Sequence, residues 1–267
     1  MVEPSVHEIL PFERHRRQKT KFTVLGIAVN AVQIADVVAQ MECWISERST
    51  CHFIAVTDMH SVTEANHEPS FKHVLNSADM VVPDGMPIVW LGRLQGCPLK
   101  RRVYGPELIN SFCQETTSKY RHFFYGGGPG VATLLAKTLE AKYGINVAGS
   151  YSPPFRMLSK MEDQEVVALI NATQPDVLWI GLGAPKQEYW MYEHRPRLRV
   201  PVLIGVGAAF DFNTGRVRQA PRWMREHGLE WLFRLWQEPR RLWRRYLIHG
   251  SEFLFNVTAE RLRLRTF

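Results

Sequence analysis

Residues 122–144 read HFFYGGGPGVATLLAKTLEAKYG. An apolar run from His122 to Tyr125 meets a glycine-rich loop, Gly126 to Gly130. Apolar residues then recur at helical spacing from Val131 to Tyr143, and Gly144 closes the helix. Strand, tight turn and helix form the half-unit of a parallel α/β fold. With no side chains in the way, the backbone N–H groups of such a loop can approach an anion, and the helix dipole adds attraction. The loop is neither G-x-G-x-x-G nor a Walker loop. A diphosphate-bearing ligand and a purely structural turn both fit it.

The same alternation extends in both directions. Strands are expected at Phe22–Val29, His52–Val56, Met80–Val82, around Val147, at Val177–Gly181 and at Val202–Val206. Helices are expected at Ala31–Ile45, Ser61–Asn76, Pro106–Lys119, Glu162–Ala172 and Gln187–Glu193. Short apolar strands alternating with helices predict an α/β fold, a mostly parallel sheet with helices on both faces. Ligands of such sheets bind beyond the carboxyl ends of the strands. The polar and glycine-rich segments fall there: Thr57-Asp58, Asp84-Gly85, Gly126–Gly130, Gly183–Gln187 and Gly207–Asp211.

Composition is that of an ordinary globular chain, with 45% hydrophobic and 22% charged residues in 267. No run of about 18 apolar residues exists, so no spanning helix is expected. No signal-peptide core follows Met1, which predicts a cytoplasmic protein. Cys43, Cys51, Cys97 and Cys113 lack metal-ligand spacing and read as reduced, buried packing residues. Charge is concentrated at one end. Residues 216–267 hold twelve arginines, no lysine and five glutamates, which accounts for the whole net charge of +7. Four of the eight tryptophans (Trp223, Trp231, Trp236, Trp243) lie there too. This predicts three parts: a flexible basic arm over 1–20, a core over 21–215 and a helical appendage over 216–267. An Arg-only, Trp-rich segment suits bidentate phosphate recognition or an anionic surface; a solvated helical face fits the composition equally well.

Asp84 sits at a strand end between Pro83 and Gly85. A carboxylate on that stiff turn can accept a proton from a sugar hydroxyl, or it can be an ordinary turn or N-cap residue. In Gly183-Ala184-Pro185-Lys186-Gln187-Glu188, Pro185 opens a helix whose first turn carries Gln187 and Glu188 toward the cleft or into a capping role. The seven aspartates contain no i, i+2 pair, and there is no H-E-x-x-H. Arginines and backbone dipoles are therefore expected to neutralise a leaving diphosphate without a metal.

Several of these segments together resemble the WecG/TagA/CpsF glycosyltransferase family. They are Thr57-Asp58-Met59-His60-Ser61, Ala78 through Pro87, Arg102-Val103-Tyr104-Gly105-Pro106, Gly183 through Glu188, Gly205 through Asp211, Arg218 through Trp223, and Gly228 through Arg241. They occur in the family's order over about residues 22 to 250. The resemblance implies a Rossmann-like core with a C-terminal helical appendage that closes over the site and contacts the membrane. It implies an inverting, metal-independent bacterial enzyme, peripheral on the inner face of the cytoplasmic membrane and without a cofactor. Such an enzyme moves a sugar from a UDP-sugar donor to a polyprenyl-diphosphate-linked acceptor in envelope or exopolysaccharide synthesis. Asp84 matches the family's base. Arg102 and Gln187 match substrate-pocket positions, and Asp211 matches a position near the nucleotide; Thr57, Asp58, Gly127 and Gly128, at their strand ends, are the further candidate substrate contacts. Arg234, Arg241 and Arg244 match arginines that hold the diphosphate, with Arg240 and Arg245 expected to face elsewhere.

Where the family often has Thr-x-Asn, this chain has Val56-Thr57-Asp58. The added carboxylate should raise the pKa of one of the pair Asp58 and Asp84. The donor stays open among an N-acetylmannosamine-like sugar, a uronic acid and a hexose, and self-association stays open too. A nucleotide-dependent oxidoreductase and a basic module for anionic membranes or nucleic acid are the alternatives. The first lacks its glycine fingerprint. The second lacks any RNP-like or zinc-finger pattern, so nucleic acid is not an expected partner.

Overall fold

Two β-branched runs flank Leu25-Gly26, and both turn residues take positive φ, 48° and 77°. That geometry makes a two-residue hairpin turn. It splits the single strand expected over Phe22–Val29 into β1 (Lys21–Val24) and β2 (Ile27–Asn30), paired antiparallel. The computed structural model describes residues 21–267. The basic arm expected over residues 1–20 lies outside the described residues.

After the hairpin and α1 (Ile34–Glu47) come β3 (His52–Thr57), α2 (Met59–His67), α3 (Pro69–Asn76) and β4 (Met80–Pro83). The one helix expected over Ser61–Asn76 is thus two, because Pro69 has no N–H to continue the first and opens the second instead. Next are α4 (Met86–Leu94), which the sequence reading passed over, and α5 (Gly105–Thr116). Then follow β5 (Arg121–Gly126), α6 (Val131–Tyr143), β6 (Asn146–Tyr151), α7 (Lys160–Thr173), β7 (Val177–Gly181), α8 (Lys186–His194) and β8 (Val202–Gly205).

Strands β3 to β8 make a fully parallel sheet in the order β4-β3-β8-β7-β5-β6. Alternate strand residues point to opposite faces. Ile54, Phe124, Trp179 and Ile204 pack on one side with α1, α5 and α6. Phe123, Leu178, Ile180 and Leu203 pack on the other with α7 and α8, while Ala55 and Val81 pack with α2, α3, α4 and the hairpin. This is the expected Rossmann-like class. The chain leaves β5 for β6 on one side and returns to β7 on the other. Such a reversal opens a crevice at the carboxyl ends of β5 and β7.

Beyond β8 the chain is helical: α9 (Ala209–Asn213), α10 (Arg222–Glu226), α11 (Glu230–Gln237), α12 (Pro239–Trp243) and α13 (His249–Arg261). Pro239 separates α11 from α12, as its missing N–H predicts. Between α12 and α13, Arg244–Ile248 winds as a π-helix. Phe253 of α13 enters the same core as the hairpin. Cys97 and Cys113 are buried as expected; Cys43 is exposed and Cys51 half-buried, so burial does not hold for all four.

Gly126 is where the sheet's central crevice is tightest. A Cβ there would lie 2.6 Å from the backbone carbonyl of Gly181, at a φ of 129° that side chains rarely adopt. Gly126→Ala is expected to destabilise the fold by about 3 kcal/mol or more. A urea titration followed by tryptophan fluorescence checks this; an unchanged midpoint would mean the β5 and β7 backbones are not packed this closely.

Candidate active site

Each carboxyl strand end contributes one segment to a single cleft of about 1280 Å³. Asp58 follows β3, Asp84 follows β4, Gly127 and Gly128 follow β5, Gly183 to Gln187 follow β7, and Val206 to Asp211 follow β8. Arg234, Arg241 and Arg245 line the cleft from the C-terminal helices. Of the residues singled out from sequence, Asp84, Asp58, Gly127, Gly128, Gln187, Asp211, Arg234 and Arg241 line it. Thr57, Arg102 and Arg244 do not.

Asp84 is held from below: its N–H donates to the Thr57 carbonyl at 2.9 Å. Thr57 acts there through its backbone, since its side chain is buried. Asp84 keeps 22% of its side chain exposed, and Oδ1 has no hydrogen-bond partner. Arg102 Nη1 stands 3.7 Å away. Burial raises the Asp84 pKa to about 7, and the charges of Asp58 and Glu230 reinforce the rise against the pull of Arg102.

Asp58 goes the opposite way. It caps α2, with Oδ1 accepting from the Ser61 N–H at 2.9 Å, and Oδ2 pairs with Arg245. Burial works against its charge, but Arg245, His60 and the Ser61 N–H outweigh that and hold the carboxyl well below its usual range. Two neighbouring acids are therefore split into one permanent carboxylate and one that titrates near neutrality.

Sequence spacing misplaced one arginine. In an α-helix, residues 241 and 244 share a face. Residue 245, four positions on, shares that face as well, and it is Arg245 that lines the cleft with Arg241. Arg245 reaches Asp58, while Arg244 stacks on Trp243 outside the cleft lining, 5.3 Å from the ring centroid. A second residue is not among the site residues expected from sequence. Glu230 of α11 is buried, pairs with Arg102 and accepts a hydrogen bond from the Tyr104 hydroxyl at 2.9 Å. It falls inside the segment Gly228 through Arg241, but its partner lies more than a hundred residues earlier.

Gln187 lies flat on β8. A Cβ on Gly205 would meet its amide at 2.8 Å, so glycine makes that approach possible. The Gln187 amide donates to Glu188 Oε1 at 2.8 Å and accepts from the Gly207 N–H at 3.0 Å. The glycine loop is also internally bonded: Gly127 N–H to the Gly181 carbonyl, Val131 N–H to the Gly128 carbonyl, and Ala132 N–H to Ser152 Oγ. Those three amides are engaged within the protein. The anionic-ligand character of the cleft thus rests more on arginines than on this loop.

Residues 22–266 match the Glycosyl transferase WecG/TagA/CpsF family. The chain belongs to that family. As a member it is a glycosyltransferase, and the oxidoreductase alternative falls. A Bacillus spizizenii relative is 32% identical over 218 residues, covering 80% of this chain and 82% of the relative. A Bacillus subtilis relative is 30% identical, covering 73% of this chain and 74% of the relative. One from Staphylococcus aureus is 25% identical, covering 86% and 89%. All three are named N-acetylglucosaminyldiphosphoundecaprenol N-acetyl-beta-D-mannosaminyltransferase.

The split between the two acids is measurable without substrate. Carboxyl carbon NMR should find Asp84 titrating near pH 7, as its environment dictates. In Asp58→Asn that titration should move to lower pH, because a negative neighbour is gone and its Arg245 partner is released. An Asp84 titration in the ordinary carboxylate range, unmoved by Asp58→Asn, would refute the coupling.

Proposed function

We propose that this glycosyltransferase transfers a sugar, N-acetylmannosamine-like in the first instance, from a UDP-sugar to a polyprenyl-diphosphate-linked acceptor sugar. Transfer inverts the anomeric centre and uses no metal. The observation that carries the reading is Asp84: a half-buried carboxylate on the wall of a cleft lined by arginines, its Oδ1 buried 3.7 Å from Arg102 and its pKa raised to about 7. A general base works best when its pKa lies near the operating pH. In its ionised form Asp84 takes the proton of the acceptor hydroxyl as that oxygen attacks the anomeric carbon. A new glycosidic bond forms on one face while the bond to the UDP oxygen breaks on the other, so the configuration inverts. The developing charge on the departing diphosphate meets Arg234 and Arg241, with Arg245 behind them on Asp58. Guanidinium forks suit phosphate oxygens and supply the neutralisation that a divalent cation gives elsewhere. The relatives' names support an N-acetylglucosamine-diphosphate-lipid acceptor.

The division into a core ending near residue 215 and an appendage beyond it fits a lipid-linked acceptor. Among the described residues no helix is long and apolar enough to cross a membrane. The C-terminal helices nevertheless expose Trp236 (80%), Trp243, Leu254 and Phe255 beside arginines. Aromatic and basic residues together favour an anionic bilayer surface. The appendage would rest there, on the inner face of the cytoplasmic membrane, and present the cleft to the lipid diphosphate.

Asp84→Asn should lower turnover about 10²–10⁴-fold while UDP affinity stays nearly unchanged. In the wild-type enzyme kcat/KM should climb with pH and level off above about 7 as Asp84 ionises. Adding Mg²⁺ or Mn²⁺ to dialysed enzyme should not raise turnover. Near-normal turnover in folded Asp84→Asn, or strict dependence on either cation, would overturn the mechanism. For the membrane contact, Trp236→Ser should weaken co-sedimentation with phosphatidylglycerol vesicles by about tenfold, the value of one large apolar side chain. Unchanged binding would remove that face from the contact.

A further inference from the structure

Outside the cleft, α2 and α13 meet through a cluster of imidazoles and carboxylates. His60 and Glu64 are one helical turn apart on α2, so they share a face. His249 is the first residue of α13, immediately after the π-helical turn that carries Arg245, the partner of Asp58. Three single atoms converge. His60 Nδ1 lies 3.0 Å from His249 Nδ1. Glu64 Oε1 lies 3.2 Å from His249 Nδ1 and 3.9 Å from His60 Nδ1. Each of these atoms is a lone-pair donor to a metal when unprotonated.

The size of that triangle is informative. Zinc bonds to imidazole nitrogen and carboxylate oxygen at about 2.0–2.2 Å in a tetrahedron, which sets the ligand atoms about 3.3 Å apart. The sides found here bracket that length. Two imidazole nitrogens and one carboxylate oxygen suit zinc, whereas magnesium and calcium prefer oxygen throughout. The three side chains are 17%, 22% and 29% exposed, which leaves access for the ion and for a water ligand. His67, whose ring centroid is 6.2 Å from that of His249, stands beside the cluster and is bonded to Glu252 of α13.

We propose that His60, Glu64 and His249 form a Zn²⁺ site that clips the C-terminal helix α13 to α2. The site is structural. None of its three ligands lines the substrate cleft. It sits one helical turn past Arg245, which precedes α13 and pairs with Asp58, the N-cap of α2. Zinc there would fix the C-terminal helices against the core at a second point.

The test uses the full-length protein, stripped with a chelator, desalted and titrated with ZnCl₂ against a chromophoric competitor. One Zn²⁺ per chain should bind at about 1 µM or tighter. His60→Ala and His249→Ala should each weaken binding about 100-fold or more, since even residues behind a metal ligand are worth 10–100-fold. Zn²⁺ should raise the melting temperature of the wild type and of neither variant. UDP affinity and circular dichroism report whether the variants fold. If they do not, Co²⁺ substitution in the wild type takes over, with intense visible bands expected for tetrahedral coordination. Sub-stoichiometric binding, zinc retained by the His60→Ala/His249→Ala double variant, or a weak octahedral Co²⁺ spectrum would overturn the site. The two histidines would then share only a hydrogen bond.

Discussion

One ion pair organises the functional end of the molecule: Arg245 on Asp58. Asp58 is already committed to the N-terminus of α2, where it caps the helix. Its second oxygen is thus presented at a fixed point beside the strand ends. Arg245, in the π-helical turn after α12, reaches it from the C-terminal helices. Both partners are less than one-third exposed, so removing either leaves a charge that solvent screens poorly. The pair joins the C-terminal helices to the core beside the cleft that Arg234 and Arg241 line. A second tie, Glu230 to Arg102 and Tyr104, holds the same helices from the side of β4.

Those ties also set the electrostatics of the cleft. Without Arg245, Asp58 would compete with Asp84 for the role of the titrating acid. With it, Asp58 stays charged and its field, added to burial and to Glu230, keeps Asp84 poised near pH 7. The C-terminal helices therefore tune the carboxylate on the core as well as lining the space above it. That coupling gives a physical reason for a basic segment on a chain whose first 215 residues carry no net charge.

The parallel sheet was legible because its signals are local. Each strand is a short apolar run, and each helix has its own stop, as at Gly144. The segments at the strand ends were legible for the same reason, and the cleft collects them. What failed was non-local or depended on backbone state. Leu25-Gly26 looks like strand interior until both residues adopt positive φ. Helical spacing does not choose between Arg244 and Arg245, since both lie about one turn beyond Arg241, and Arg245 is the one that lines the cleft. Glu230 lies inside the segment Gly228 through Arg241, but its place in the site comes from Arg102, far away in sequence. Thr57 was read as a pocket side chain, but it contributes a backbone carbonyl to Asp84.

The central claim is that the C-terminal helices act on the reaction through the Asp58–Arg245 pair. A double-mutant cycle on kcat/KM tests it directly, with Asp58→Asn, Arg245→Gln and the double variant assayed on a lipid-linked acceptor. If the pair is the joint, the two single losses overlap and the double variant is little worse than the worse single, with a coupling of about 1 kcal/mol or more. If the losses simply add, to within about 0.5 kcal/mol, the two residues act independently and the account is wrong.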